Sequence, residues 1–391
     1  MVAALAALAT ALLTGATMNA TGAAASDTTT ASQPTAACSA PAATGSARSR
    51  GMTRAVSAST GCATSARSSS TATPPTSTAS DPAVGTPPLL FHGGPVMGTK
   101  QTGPLFMTPI FWAPAGHPMD ASYTSIIRRY LGDVAADSGK HTNVYSTLNE
   151  YYGTNGAIRY KMKLTKAVLD TAPLPADGCT VAANDTANIY ADLTGYDACL
   201  DDSQVIAETN RVVASKDLPV DYGHIYVMFL PKHVESCFFA GSTLTSANAC
   251  TINHQPSAAY CAYHNQDTGR GTVYANMPFP VYLSPVGYTC GSNARGHGII
   301  ESPNGNPDAD TEISPTSHEI MEAATDPDTV TGWYDSNGYE NGDECAYVYG
   351  TMSGTAGSRY NQVIHGHQYL TQEEFSNRDF ALTGRGCLPY E

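Results

Sequence analysis

Positive charge is scarce in this chain of 391 residues: Lys and Arg number 20 against 34 Asp and Glu, and charged residues of every kind make up only 14%. Neutralising phosphate takes clustered Lys and Arg, so nucleic acid is excluded as a partner, and an anionic membrane surface after it. The sequence holds no G-x-S-x-G nucleophile elbow, no G-x-x-x-x-G-K-[ST] loop and no G-x-G-x-x-G following a strand. Serine-hydrolase, nucleotide-hydrolase and dinucleotide chemistry thus lack their usual carriers. None of the 10 cysteines forms a C-x-x-C pair, which argues against a zinc ribbon and a thioredoxin-type redox site. The apolar run Val2–Leu13 is shorter than the roughly 20 residues of a membrane-spanning helix, so no membrane span is expected.

That run, followed by Ala23-Ala24-Ala25 ahead of Ser26, reads as a secretory signal peptide over residues 1–25, although no Lys or Arg precedes it. Residues 26–87 are Ser, Thr, Ala and Pro with almost no large apolar side chain. Such a segment cannot bury enough surface to offset its ordering entropy and is expected to be disordered. It should make no contact with the core up to residue 85. Arg48, Arg50, Arg54 and Arg67 outnumber Asp27 and Asp81 there, so the acidic excess lies wholly beyond it. The globular part is placed at residues 88–391.

Cys179, Cys199, Cys237, Cys250, Cys261, Cys290, Cys345 and Cys387 fall in the globular part. Behind a signal peptide they are expected to form four disulfides, with Cys179–Cys199 and Cys345–Cys387 preferred among many possible connectivities. Strand-like runs at 104–112, 157–164, 224–230, 260–264, 272–277 and 344–348 interleave with helical periodicity at 120–136, 203–216 and 315–325. The expectation is one α+β domain with a mixed sheet flanked by helices.

Ser317-His318-Glu319-Ile320-Met321-Glu322-Ala323-Ala324-Thr325-Asp326-Pro327 is the most informative segment. On a helix His318 and Glu322 share a face, the geometry of the two ligands in H-E-x-x-H zincins with Glu322 replacing the second His. Glu319 occupies the place of the zincin general base. Asp326 or Glu340 would complete the ligand set. Glu340-Asn341-Gly342-Asp343-Glu344 downstream and Asp308, Asp310 and Glu312 upstream crowd further carboxylates around one short helix. They would repel one another unless a cation neutralises them. The His favours zinc; the oxygen-rich surroundings make calcium the alternative. The plainer account is that Glu319 and Glu322 are first-turn acids complementing the helix dipole. His365 and His367 alternate on an expected strand and are assigned to a sheet edge rather than to metal.

Several segments resemble the EXORDIUM-like (phosphate-induced protein) family of secreted plant proteins. They are Phe91-His92-Gly93-Gly94-Pro95-Val96 with the strand ending Ile110-Phe111-Trp112, Tyr260-Cys261-Ala262-Tyr263 beside that family's Y-C-A-W, Ala324-Thr325-Asp326-Pro327 beside its T-N-P, and Cys345 and Cys387 near its late cysteines. The resemblance implies a secreted, wall-associated protein linked to growth and supplies no activity. The plant pattern lacks His-Glu-x-x-Glu and has Asn at the place of Asp326, so this chain looks like a microbial branch carrying the acidic, His-containing version. Two expectations follow. One is a secreted zinc-dependent hydrolase, peptidase-like, acting on an extracellular peptide or cell-wall polymer. The other is a non-catalytic extracellular or wall-associated protein with a structural metal ion. An open coordination position facing a cleft separates the first from the second.

Overall fold

In the computed structural model, residues 52–53, 81–184, 194–242, 250–252, 260–283, 287–292 and 299–391 are described, all within the unit Arg48–Glu391. The expected signal peptide lies outside them, as does most of the segment 26–87. The elements that position the site are β1 (Met52–Thr53), β2 (Leu105–Trp112), α1 (Ala121–Ala136), β3 (Met162–Leu164), β4 (Val168–Asp170), β5 (Ala198–Asp201), α2 (Asp202–Ser215), β6 (His224–Phe229), β7 (Val234–Cys237), β8 (Ala262–Gln266), β9 (Val273–Met277) and α3 (Pro307–Thr325). The main sheet runs β1-β8-β9-β6-β2-β3, with β4 also on β2. The pairs β9–β6, β6–β2, β2–β3 and β2–β4 are parallel. β8 lies antiparallel to β9, and β1 antiparallel to β8.

Strand alternation divides the core. Ile225, Val227 and Phe229 of β6 bury against one side with Tyr130 of α1 and Ile320 of α3, while Tyr226 and Met228 face Val205 and Val212 of α2 on the other. A strand buried on both faces reads as a continuous apolar run, which is why HIYVMF carries no polar interruption. The α+β class with a mixed, helix-flanked sheet is as expected. Asp120 caps α1, accepting from the amides of Ser122 at 2.7 Å and Tyr123 at 3.0 Å.

The four disulfides are Cys179–Cys199, Cys237–Cys250, Cys261–Cys290 and Cys345–Cys387, so both preferred pairs form. Loops of this size contribute about 3–4 kcal/mol each through the unfolded chain. Among the described residues no helix is long and apolar enough to cross a membrane. The disulfides fit an extracellular protein.

Three local expectations are corrected. The chain meets the core before residue 86: Asp81–Pro82 pairs with Gly386–Cys387, and Met52–Thr53 pairs with Ala262–Tyr263. Both use backbone hydrogen bonds, which need no apolar side chain. α3 begins at Pro307 rather than Pro315, capped by Asn306 accepting from Ala309 N at 3.0 Å. Segment 344–348 is no strand; it starts in a 3-10 turn, Asp343–Cys345, and Tyr347 takes a φ of 61° that breaks extended pairing.

Glu235 on β7 sits apart from these features and is completely buried, accepting from Ile252 N at 2.8 Å and Thr251 Oγ1 at 3.1 Å. Burial pushes its carboxyl up to about 8 from 4.5. The folded state therefore holds this proton more tightly than the unfolded state. Its contribution is full below the unfolded value and is lost as pH rises toward the folded one. Glu235→Gln is expected to remove that slope, gaining on the order of 2 kcal/mol over wild type between pH 5 and 8. Urea melts at both pH values check this; parallel pH dependence in the two proteins would refute it.

Candidate metal centre

α3 is buried from Ala309 to Thr325 on all sides, the mark of a core helix, yet its last turns carry ionisable residues. His318, Glu319 and Glu322 have no exposed surface. His318 Nε2 lies 2.7 Å from Glu322 Oε1, the separation of an imidazolium–carboxylate ion pair. Asp343 Oδ1 is 3.8 Å from the same nitrogen, and the Asp343 amide donates to Glu322 Oε1 at 3.0 Å.

The turn carrying Glu340 and Asp343 is docked onto α3 by further hydrogen bonds. Asn341 Nδ2 donates to the Met321 carbonyl at 3.3 Å, and Gln372 Nε2 to the Gly342 carbonyl at 2.7 Å. Gly342 lies flat against the His318 ring: a Cβ there would fall 2.7 Å from Cγ and 2.8 Å from Nδ1. Its backbone is ordinary right-handed helical, so the requirement for glycine is purely steric. Gly342→Ala is expected to displace the imidazole, at about 1–3 kcal/mol of stability, and to weaken zinc binding. Thermal melts and zinc titration read both effects; unchanged affinity would remove His318 from the ligand set.

Sequence reasoning missed His264. It lies on β8 opposite Ala275 of β9, and alternation puts it on the same face as Ala262, which packs in the α3 cluster. Its Nε2 sits 2.8 Å from the Asp326 carbonyl oxygen and 3.7 Å from Glu340 Oε1; its Nδ1 sits 3.2 Å from Glu319 Oε2 and 3.6 Å from Glu322 Oε2. A histidine two positions from a core alanine on a buried strand was the available signal. Buried Glu374, also missed, acts electrostatically on the same residues.

The expected site residues therefore converge with one change of role. His318, Glu319, Glu322 and Glu340 are brought together. Asp326 offers its main-chain carbonyl to His264, while its carboxylate stands near enough to Glu340 to raise it. Glu344 turns away toward Gly85 and Asp335. The upstream acids serve elsewhere: the Tyr288 hydroxyl donates to Asp308, Ser302 and Asn304 donate to Asp310, and Glu312 lies beside Tyr123. His365 reaches Asp137, the C-cap of α1, at 3.0 Å, and His367 reaches Asp133 of α1 at 2.7 Å.

Ion pairs in the cluster run to the two imidazoles. Burial opposes charge on His264 and His318, but the surrounding carboxylates outweigh it and hold both well above the usual histidine range. Burial also opposes charge on Glu322, yet His318 and His264 bring its carboxyl down. Burial raises Glu340 further, with Glu322 next. Even with both imidazoles protonated, Glu319, Glu322, Glu340 and Asp343 outnumber them. Such an excess in a low-dielectric interior is relieved either by protonating carboxyls, the direction in which Glu319 and Glu340 are shifted, or by a cation. No family model, curated protein or solved structure matches the chain.

Proposed function

We propose that the chain is a secreted metal-dependent hydrolase of the peptidase kind, with zinc held by His318 and Glu322 and the ligand set filled from Asp343, Glu340 and Asp326. The observation that carries this reading is the gathering of His318, Glu322 and Asp343, ligand-type side chains, in the buried interior beside α3. Nitrogen and carboxylate donors together suit zinc better than calcium. The cation supplies Lewis-acid polarisation of a carbonyl and of water. Glu319 accepts the water's proton and returns it to the leaving amine.

Peptide as substrate is supported by the sheet. β8, which bears His264, packs against α3 and carries the short antiparallel strand β1 on its outer side. An extended peptide can add to such a strand through main-chain hydrogen bonds, and Met52–Thr53 of this chain does so. The resemblance to the EXORDIUM-like family adds a wall-associated setting to this proposal.

The alternative, a non-catalytic extracellular protein with a structural cation, is favoured by one observation: His264, His318, Glu319, Glu322 and Glu340 are all fully buried. Chelator-stripped protein, reloaded with zinc or with calcium and assayed on casein and fluorogenic peptides, separates the two. Hydrolysis lost on stripping and regained with zinc is the expected result. Absent hydrolysis in a protein that holds metal and melts earlier without it would establish the structural role.

A further inference from the structure

His264 marks a second point of convergence in the cluster. Its Nε2 donates to the Asp326 carbonyl at 2.8 Å. Its Nδ1 meets Glu319 Oε2 at 3.2 Å and Glu322 Oε2 at 3.6 Å, so three ligand-type atoms of fully buried side chains gather at one point. A proton on the imidazole can serve there, and a divalent cation can displace that proton, since metal binding releases protons from its ligands. Around a cation with tetrahedral bonds of about 2.0–2.2 Å, neighbouring ligand atoms stand about 3.3–3.6 Å apart, close to the two spacings found. The other oxygen of Glu322 meanwhile faces His318. Neither ring nitrogen of His318 and neither carboxylate oxygen of Glu340 has a hydrogen-bond partner, and both side chains are fully buried.

We propose that this cluster holds two divalent cations, one at His318, Glu322 and Asp343 and a second at His264, Glu319 and Glu322, with Glu322 bridging them through one oxygen each. The proposal rests on the metal-binding reading above and extends it. A shared carboxylate suits a pair about 3.5–4 Å apart, the spacing of two-metal hydrolytic sites. Two divalent charges balance Glu319, Glu322, Glu340 and Asp343; one leaves two of them uncompensated. The nitrogen ligand at each position selects a first-row transition ion of the zinc type.

The test counts metal. Full-length protein is stripped with a chelator, titrated with Zn²⁺, freed of unbound ion by gel filtration and analysed by elemental mass spectrometry. Wild type is expected to retain two ions per chain, and His264→Ala and His318→Ala one each. Loaded with Mn²⁺ instead, wild type should give the electron-spin spectrum of a coupled pair and His264→Ala that of an isolated ion. Wild type saturating at one ion, or His264→Ala retaining two, overturns the second position and leaves the single-metal reading standing. No bound ion in any protein overturns both. Should His264→Ala fail to fold, the wild-type count and spectrum still decide.

Discussion

Glu322→Ala is expected to release the bound metal and to lower the melting temperature by roughly 8–12 °C in zinc-containing buffer. The carboxylate is the common member of the cluster: one oxygen faces His318 at 2.7 Å and the other faces His264 at 3.6 Å. Removing it leaves no group that reaches both imidazoles. A cation present at about a thousand times its dissociation constant stabilises the folded state by about 4 kcal/mol, and a domain of this size loses about 2–3 °C per kcal/mol. The zinc-dependent part of the melting temperature is the quantity to compare, because Glu322 also neutralises the imidazoles when no metal is bound. Scanning calorimetry of both proteins with zinc and with chelator measures it. A variant that retains metal, or a wild type indifferent to chelator, would sink the idea that the cluster is a metal centre.

Glu319→Gln is expected to lower kcat for peptide hydrolysis by roughly 10²–10⁴-fold, the usual contribution of a positioned general base. The amide preserves volume and can still meet His264, but it cannot take a proton from water. The cation at His318 and Glu322 should remain, because Glu319 contacts the opposite side of Glu322, toward His264. Activity assays are paired with zinc counts: lost activity at an unchanged count marks a lost base, and the loss of one ion marks Glu319 as a ligand of the second position. Hydrolysis within a few-fold of wild type would mean that Glu319 does no chemistry.

The helix-borne half of this cluster was legible because it is local. His318 and Glu322 are four apart on one helix, and helical periodicity brings them together whatever the rest of the chain does. Glu340 and Asp343 could be read as a concentration of acid but not placed, since docking of their turn depends on Asn341, Gln372 and the space beneath His318 that Gly342 leaves. His264 was out of reach for a different reason: it meets Glu319 only because β8 pairs with β9 over α3, a contact between distant parts of the chain. The start of α3 was misjudged at Pro315, since proline is favoured in a first helical turn. Asp308 and Asp310, which complement the dipole at the true N-terminus, were credited to the metal instead.

The turn that delivers Asp343 ends at Cys345, and Cys345 is bonded to Cys387 of the last strand. That strand in turn pairs with Asp81–Pro82. The position of Asp343 is thus anchored by one sulfur bridge to the last strand, a bond that oxidising surroundings keep closed and reducing ones open. If the cluster holds a cation as proposed, the compartment that closes this bridge is also the one in which the site takes its final shape.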